Sequence, residues 1–185
     1  MATVLEAPER SAVEHDRTAF NLAVWEKIHA DPQLAKLPYR IETDAFGQII
    51  MSPPPAPAHG SKQGRIYWHL RDLLKSGEVI TECPISTEGG VKVADVAWCS
   101  EKLWANSASL PCFLSAPEIC VEVLSPSNTT GEIDEKKELY FKAGAREVWL
   151  CEEDGGMTFY LSSTPLTSAD RSALCEDFPR QIVRP

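Results

Sequence analysis

The chain has 185 residues, 43% of them apolar and 24% charged, with a formal net charge of −9. That length fits one compact domain of the roughly 100–200-residue class, and no apolar run approaches the ~18–20 residues that a membrane span needs. The excess of carboxylates excludes a broad electrostatic grip on nucleic acid, which depends on Lys and Arg neutralising phosphates, so recognition of a polyanion has to come from a local cleft.

Residues 1–17 are polar and are expected to form a flexible arm, leaving 18–185 as a single domain. The arm has alternating charges and no apolar core of a secretion signal, so a cytoplasmic location is expected. Six cysteines (83, 99, 112, 120, 151 and 175) form no CxxC pair and sit mostly inside apolar runs. They read as small buried hydrophobes in a reducing compartment.

In chain order, "TAFNLAVWEKIHA" (18–30) places Phe20, Leu22, Val24, Trp25 and Ile28 at helical spacing. Alternation of Tyr39, Ile41 and Thr43, a turn at Asp44–Gly47 and the run Gln48–Met51 predict a β-hairpin. Prolines within 53–57 break any ladder and mark a connection. A helix follows over His59–Lys75, with 59, 63, 66, 70, 73 and 74 on one stripe. "EVITECPISTEGGVKVADVAW" reads as two strands around Gly89-Gly90, and "CSEKLWANSASLPCF" as a short helix or loop. Residues 118–124 form a strand, "GEIDEKKELYFKAG" a helix closed by Gly144, and "REVWLCEEDGGMTFYL" a strand, turn and strand. "RQIV" is a candidate last edge strand, and Trp68 and Trp149 are expected in the core. The pattern predicts a mixed α+β (α/β) domain with helices packed on a twisted sheet.

Two of these strands carry an acid set among apolar residues. Asp95 shares a face with Val91, Val93 and Ala97, and Glu122, inside its strand, with Glu118 at the strand's start, Cys120 and Leu124. A buried, unpaired acid costs several kcal/mol or shifts its pKa upward, so partners or a cation must neutralise both. Neighbouring strands would bring them to one place, where two acids and a main-chain carbonyl suit a hard divalent cation. On the next helix, Lys136 and Lys137 both fall on the half that holds Ile133, Leu139, Tyr140 and Phe141, so either lysine reaches toward the acids.

The segments "MSPPPAPAH", "VADVAW", "PEICVEVLSPS" and "EKKELYFKAGAREVWL" resemble the signature blocks of a large bacterial family of restriction-endonuclease-like proteins within the PD-(D/E)XK nuclease superfamily. The resemblance spans about residues 39–152. It implies an αβββαβ nuclease core with a mixed twisted sheet, and hydrolysis of nucleic-acid phosphodiester bonds dependent on Mg2+ or Mn2+. It also implies Asp95 and Glu122 as the catalytic acids. Ala94 stands where the superfamily has proline, and Leu124 where it has lysine; the branch displaces its lysine into the following helix, at the position Lys136 matches by its four-residue spacing to Tyr140.

On this reading Asp95, Glu122 and the Val123 backbone carbonyl hold the metal, and Lys136 steadies the attacking water or the scissile phosphate. His59, Glu82, Glu42 and Lys137 are possible accessories, each with an alternative in a structural ion pair or a helix-start hydrogen bond. The expected partners are nucleic acid, DNA in the first instance, and a second copy of the chain in a homodimer. Two other readings stand beside it: a catalytically inactive nuclease-fold binding module, and a structural module that uses "VWLC" and "FLSAP" as an association face.

Overall fold

The computed structural model describes residues 12–126 and 128–182. Helix α1 (Ala12–Ala30) begins six residues before the expected start, so the rest of the expected arm, residues 1–11, lies outside the described residues. A 3-10 turn (Leu34–Lys36) leads to the predicted hairpin, β1 (Arg40–Thr43) and β2 (Ile49–Ser52). Then come α2 (Pro57–Leu73), β3 (Glu78–Thr87), β4 (Gly90–Cys99), α3 (Glu101–Ser107), β5 (Ile119–Val123), α4 (Thr130–Lys142), β6 (Glu147–Cys151), β7 (Met157–Leu161) and β8 (Ser168–Ala169). Pro57 takes the first turn of α2, where its missing N–H has no helical partner to lose.

Strands β3 to β8 form one sheet in chain order, antiparallel throughout except for the parallel β5–β6 pair. A parallel pair needs a crossover, and α4 supplies it. The run α2-β3-β4-β5-α4-β6 is the expected αβββαβ core, with short α3 inserted. Ile66 and Leu70 of α2 pack on Val96, Val121 and Trp149. Tyr140 of α4 packs with Ala97, Cys120 and Val148. Because alternate residues of β5 enter these two clusters, α2 and α4 cover opposite faces of the sheet.

Two local devices fix the elements that carry the site. Helix α4 opens with a capping box between Thr129 and Glu132 and closes with Gly144 at φ 109°, whose N–H donates to the Phe141 carbonyl while that of Ala145 donates to the Tyr140 carbonyl. The β3–β4 turn is centred on Glu88-Gly89, one residue earlier than expected, because Thr87 and Gly90 already pair. Gly90 (φ 101°) cannot carry a side chain, since a Cβ there would lie 2.3 Å from the Asp44 carbonyl oxygen and 2.5 Å from that of Thr43. This close approach seats β1 against β4. The Val91 N–H donates to Thr43 Oγ1 (2.8 Å) and the Val93 N–H to Glu42 Oε1 (3.0 Å).

Three expectations need correction. Trp68 is 61% exposed, because it lies on the face of α2 opposite Ile66 and Leu70, whereas Trp149 is buried. "RQIV" gives only an isolated bridge between Gln181 and Gly156, and the last strand is β8. "VWLC" is the buried centre of β6, and Phe113 and Ala116 of "FLSAP" are buried in the chain's own core, so neither segment forms an association face. All six cysteines are buried and unpaired, as their apolar surroundings implied.

Candidate active site

Asp95 and Glu122 enter from adjacent antiparallel strands. The pairs Ala97–Cys120 and Val96–Val121, continued by one residue, set Asp95 opposite Glu122. On the other side, Glu82 falls in line with Asp95, between the Thr81–Val96 and Cys83–Ala94 pairs. Three acids therefore make one row across three strands. Asp95 is 1% and Glu122 5% exposed. Glu82 has φ 51°, the only positive value outside glycine among the described residues.

Each acid has named partners. Asp95 Oδ1 accepts from Arg40 (2.6 Å), and its Oδ2 accepts from the Val123 N–H (2.6 Å) and faces His59 Nε2 at 3.3 Å. Gln63 Nε2 donates to Glu82 (2.7 Å) and reaches Asp95 Oδ1 at 3.3 Å. Arg40 also donates to the Val93 carbonyl and pairs with Glu82 at 3.3 Å. Glu122 Oε1 accepts from the Tyr140 hydroxyl at 2.6 Å. Lys136 Nζ lies 2.8 Å from Glu42 and 3.3 Å from Glu122.

Of the residues singled out in the sequence, Asp95, Glu122, Lys136, Glu42, Glu82 and His59 thus converge. Lys137 does not: it pairs with Asp134 at 2.9 Å and its ammonium stands 4.1 Å from the centre of the Tyr160 ring. Val123 contributes its amide N–H to Asp95. Arg40, Gln63 and Tyr140 were missed as site residues. The signal for Arg40 was its alternation with Glu42 in "YRIET", which puts both charges on one face of β1. For Gln63 it was the single helical turn separating it from His59, and for Tyr140 the same spacing from Lys136.

Burial and charge set the protonation states. Burial pushes Glu122 up to about 7, with Lys136 pulling the other way and Asp95 adding repulsion. Burial would also raise Asp95, but the His59 hydrogen bond, the Arg40 charge and the Val123 amide outweigh it and hold Asp95 below the usual range. His59 is raised above its ordinary value, chiefly by the hydrogen bond to Asp95. Burial opposes the charge on Lys136, yet Glu122 and Glu42 together raise it.

Four carboxylates (Glu42, Glu82, Asp95 and Glu122) thus share the cleft with two permanent cations, Arg40 and Lys136, and with His59. No three His, Cys, Asp or Glu side chains among the described residues cluster tightly enough to cage a metal by themselves. An oxygen-rich donor set with only one or two direct carboxylates is of the kind a hard divalent cation takes, keeping several waters and adding oxygens from a phosphate. The residues present fit such an ion.

Fold and site together place the chain in the restriction-endonuclease-like class of α+β proteins. A crystal structure described as a putative nuclease belonging to DUF820, from Anabaena variabilis ATCC 29413, aligns with a TM-score of 0.64 at 16% identity, covering 85% of this chain and 93% of that one. The family model described as "Uma2: Putative restriction endonuclease" matches residues 25–180, and the chain belongs to that family. No curated protein matches it.

Proposed function

We propose that the protein is a metal-dependent endonuclease that hydrolyses phosphodiester bonds of nucleic acid, DNA in the first instance. The observation that carries this reading is the meeting of Asp95 and Glu122 from adjacent strands, with Lys136 held between Glu122 and Glu42. Asp95, Glu122 and the Val123 carbonyl would hold Mg2+ or Mn2+, which when bound polarises a phosphate and acidifies a water. Lys136, kept charged by its two carboxylates, donates to the attacking water or to a phosphoryl oxygen. Arg40 offers further positive charge, and the Val123 amide with His59 keeps Asp95 ionised and aimed.

The charge distribution supports a polyanionic substrate despite the overall −9. Residues 57–75, the α2 region that delivers His59 and Gln63, carry Lys62, Arg65, Arg71 and Lys75 against one acid, Asp72. Lys62 and Arg65 stand within two turns of His59, which puts local positive charge on the end of α2 that meets the acids, as an acidic chain needs. A cytoplasmic homodimer completes the proposal; a solution mass of one chain at micromolar protein would remove the dimer.

The test is Asp95→Asn and Glu122→Gln, each with an unchanged circular-dichroism spectrum. Both should abolish Mg2+-stimulated cleavage of plasmid and single-stranded DNA and weaken Mg2+ binding in calorimetry. A wild-type protein that binds no divalent cation at millimolar concentration defeats the reading. It would favour an inactive binding module in which Arg40, His59 and Lys136 serve only as counter-charges to the acids.

A further inference from the structure

Beside the acids lies a cavity of about 350 Å³, formed between α1, the 3-10 turn, β1, β3 and Val93 of β4. Trp25, Ile28, Leu34, Leu37, Tyr39 and Ile41 give it apolar and aromatic walls, and Arg40 and Glu82 add charged groups to its lining. Those two residues also belong to the acid row: Arg40 pairs with Asp95 at 2.6 Å and with Glu82 at 3.3 Å. One wall of the cavity is therefore the back of the candidate active site. The Arg40 Nε is buried with no hydrogen-bond acceptor in good geometry. Tyr39, in its lining, is 48% exposed. The volume falls at the lower end of the roughly 300–1,000 Å³ range of small-molecule sites, which combine apolar walls with a few placed polar groups.

We propose that this cavity receives a nucleobase of the strand lying across the acids, its face stacked on Tyr39 and its polar edge directed at Arg40 and Glu82. The inference rests on the nuclease reading for the strand's position. A base has the needed shape and chemistry, with flat apolar faces for aromatic walls and donors and acceptors along one edge. The guanidinium of Arg40 complements both its acceptor atoms and the phosphate that joins it to the acids. A base inside a duplex is paired and stacked and cannot enter, so the substrate class is single-stranded or locally unpaired nucleic acid.

The test needs no cleavage. Full-length protein without added metal is titrated with the four nucleoside 5′-monophosphates and with ribose 5-phosphate, following the tryptophan indole N–H signals by NMR. The Trp25 signal should move with at least one nucleotide and stay fixed with the sugar phosphate, and Tyr39→Ala should weaken that binding about tenfold, the effect of losing one stacked base. In a second arm with Mg2+, an oligonucleotide lacking the base at the scissile step should be cut about tenfold more slowly than the intact strand by wild type, and equally with it by Tyr39→Ala.

A Trp25 signal indifferent to every nucleotide, or equal wild-type rates on intact and abasic strands, overturns the base pocket. A protein that cuts nothing but shows the Trp25 shift defeats the nuclease reading and leaves the pocket standing. A stretch of apolar peptide as occupant would show as a nucleotide-insensitive Trp25 and counts against the proposal.

Discussion

The Tyr140 hydroxyl donates to Glu122 Oε1 at 2.6 Å, inside a helix–sheet interface from which both residues exclude water. That single bond ties the charge of β5 to α4, and α4 in turn places Lys136 one helical turn earlier on the same side. Tyr140→Phe keeps the ring but withdraws the donor, so it should lower stability by about 1–3 kcal/mol, read by urea denaturation.

The same pair sets a pH dependence. With Glu122 raised to about 7 from 4.5, the folded metal-free protein keeps a proton that the unfolded chain has lost throughout pH 4.5–7. Stability must therefore fall as pH rises through that window, by at most about 1.4 kcal/mol per pH unit for one proton. Glu122→Gln removes this component, so the wild-type minus Gln difference reports Glu122 together with its repulsion of Asp95. Tyr140→Phe, by removing a bond that favours the carboxylate, should extend the decline to higher pH. A difference curve flat between pH 4.5 and 7 would contradict the assignment.

Lys136 and Lys137 are neighbours in sequence with opposite expected effects. Lys136→Met leaves Glu42 and Glu122 without the ammonium that faces both, so Mg2+-stimulated cleavage should drop about 10²–10³-fold. Lys137→Met forfeits an exposed partner, Asp134, and a contact with the Tyr160 ring. It should cost about 1 kcal/mol of stability and leave the cleavage rate at the wild-type level. Equal losses of rate in the two variants would refute the placement of Lys136.

The contrast between these lysines also marks what was legible in the sequence. A hundred degrees per residue put both on the inner half of α4, but the direction of a long side chain depends on which neighbour claims it, and Asp134 and the Tyr160 ring lie close to Lys137. The row Asp95–Glu122 was readable because isolated carboxylates interrupt apolar strands. Arg40 and Gln63 were not: a charged residue opening a short half-buried strand, or an amide on a core-facing helical stripe, looks the same whether its partner is an acid or another polar group. The fold was readable where period and punctuation agreed, as in α4 with its capping box and Gly144. It was misread in the tail, where β8 is only two residues long.

Glu82 carries a backbone strain that glycine would relieve. At φ 51° an L residue pays about 1–2 kcal/mol, and its side chain holds Gln63 and Arg40 around the acid row. Glu82→Gly and Glu82→Ala lose these partners alike, so their difference reports the backbone alone. Glycine should be the more stable by about 0.5–1 kcal/mol, the reverse of its usual disadvantage in a strand. Chemical denaturation of the two variants compares them, and alanine proving the more stable would contradict strain at this position.

Glu147 is a buried acid with an architectural task. At the start of β6 its carboxylate accepts from the Trp149 indole N–H (2.7 Å) and from the backbone N–H groups of Ala173 (2.8 Å) and Leu174 (2.7 Å), which pins the segment after β8 against the sheet. That segment supplies Cys175, Phe178 and Ile182 to the core around Trp149. Glu147→Ala strands three donors in a dry site, at a cost on the order of 3 kcal/mol or more. Glu147→Gln keeps an acceptor oxygen but brings two N–H groups among existing donors, so it should rescue only part of the loss. Both should lower the urea midpoint and speed amide exchange at Ala173 and Leu174. Mg2+ affinity of the folded fraction should stay at the wild-type value, because Glu147 touches none of the acids in the Asp95 row.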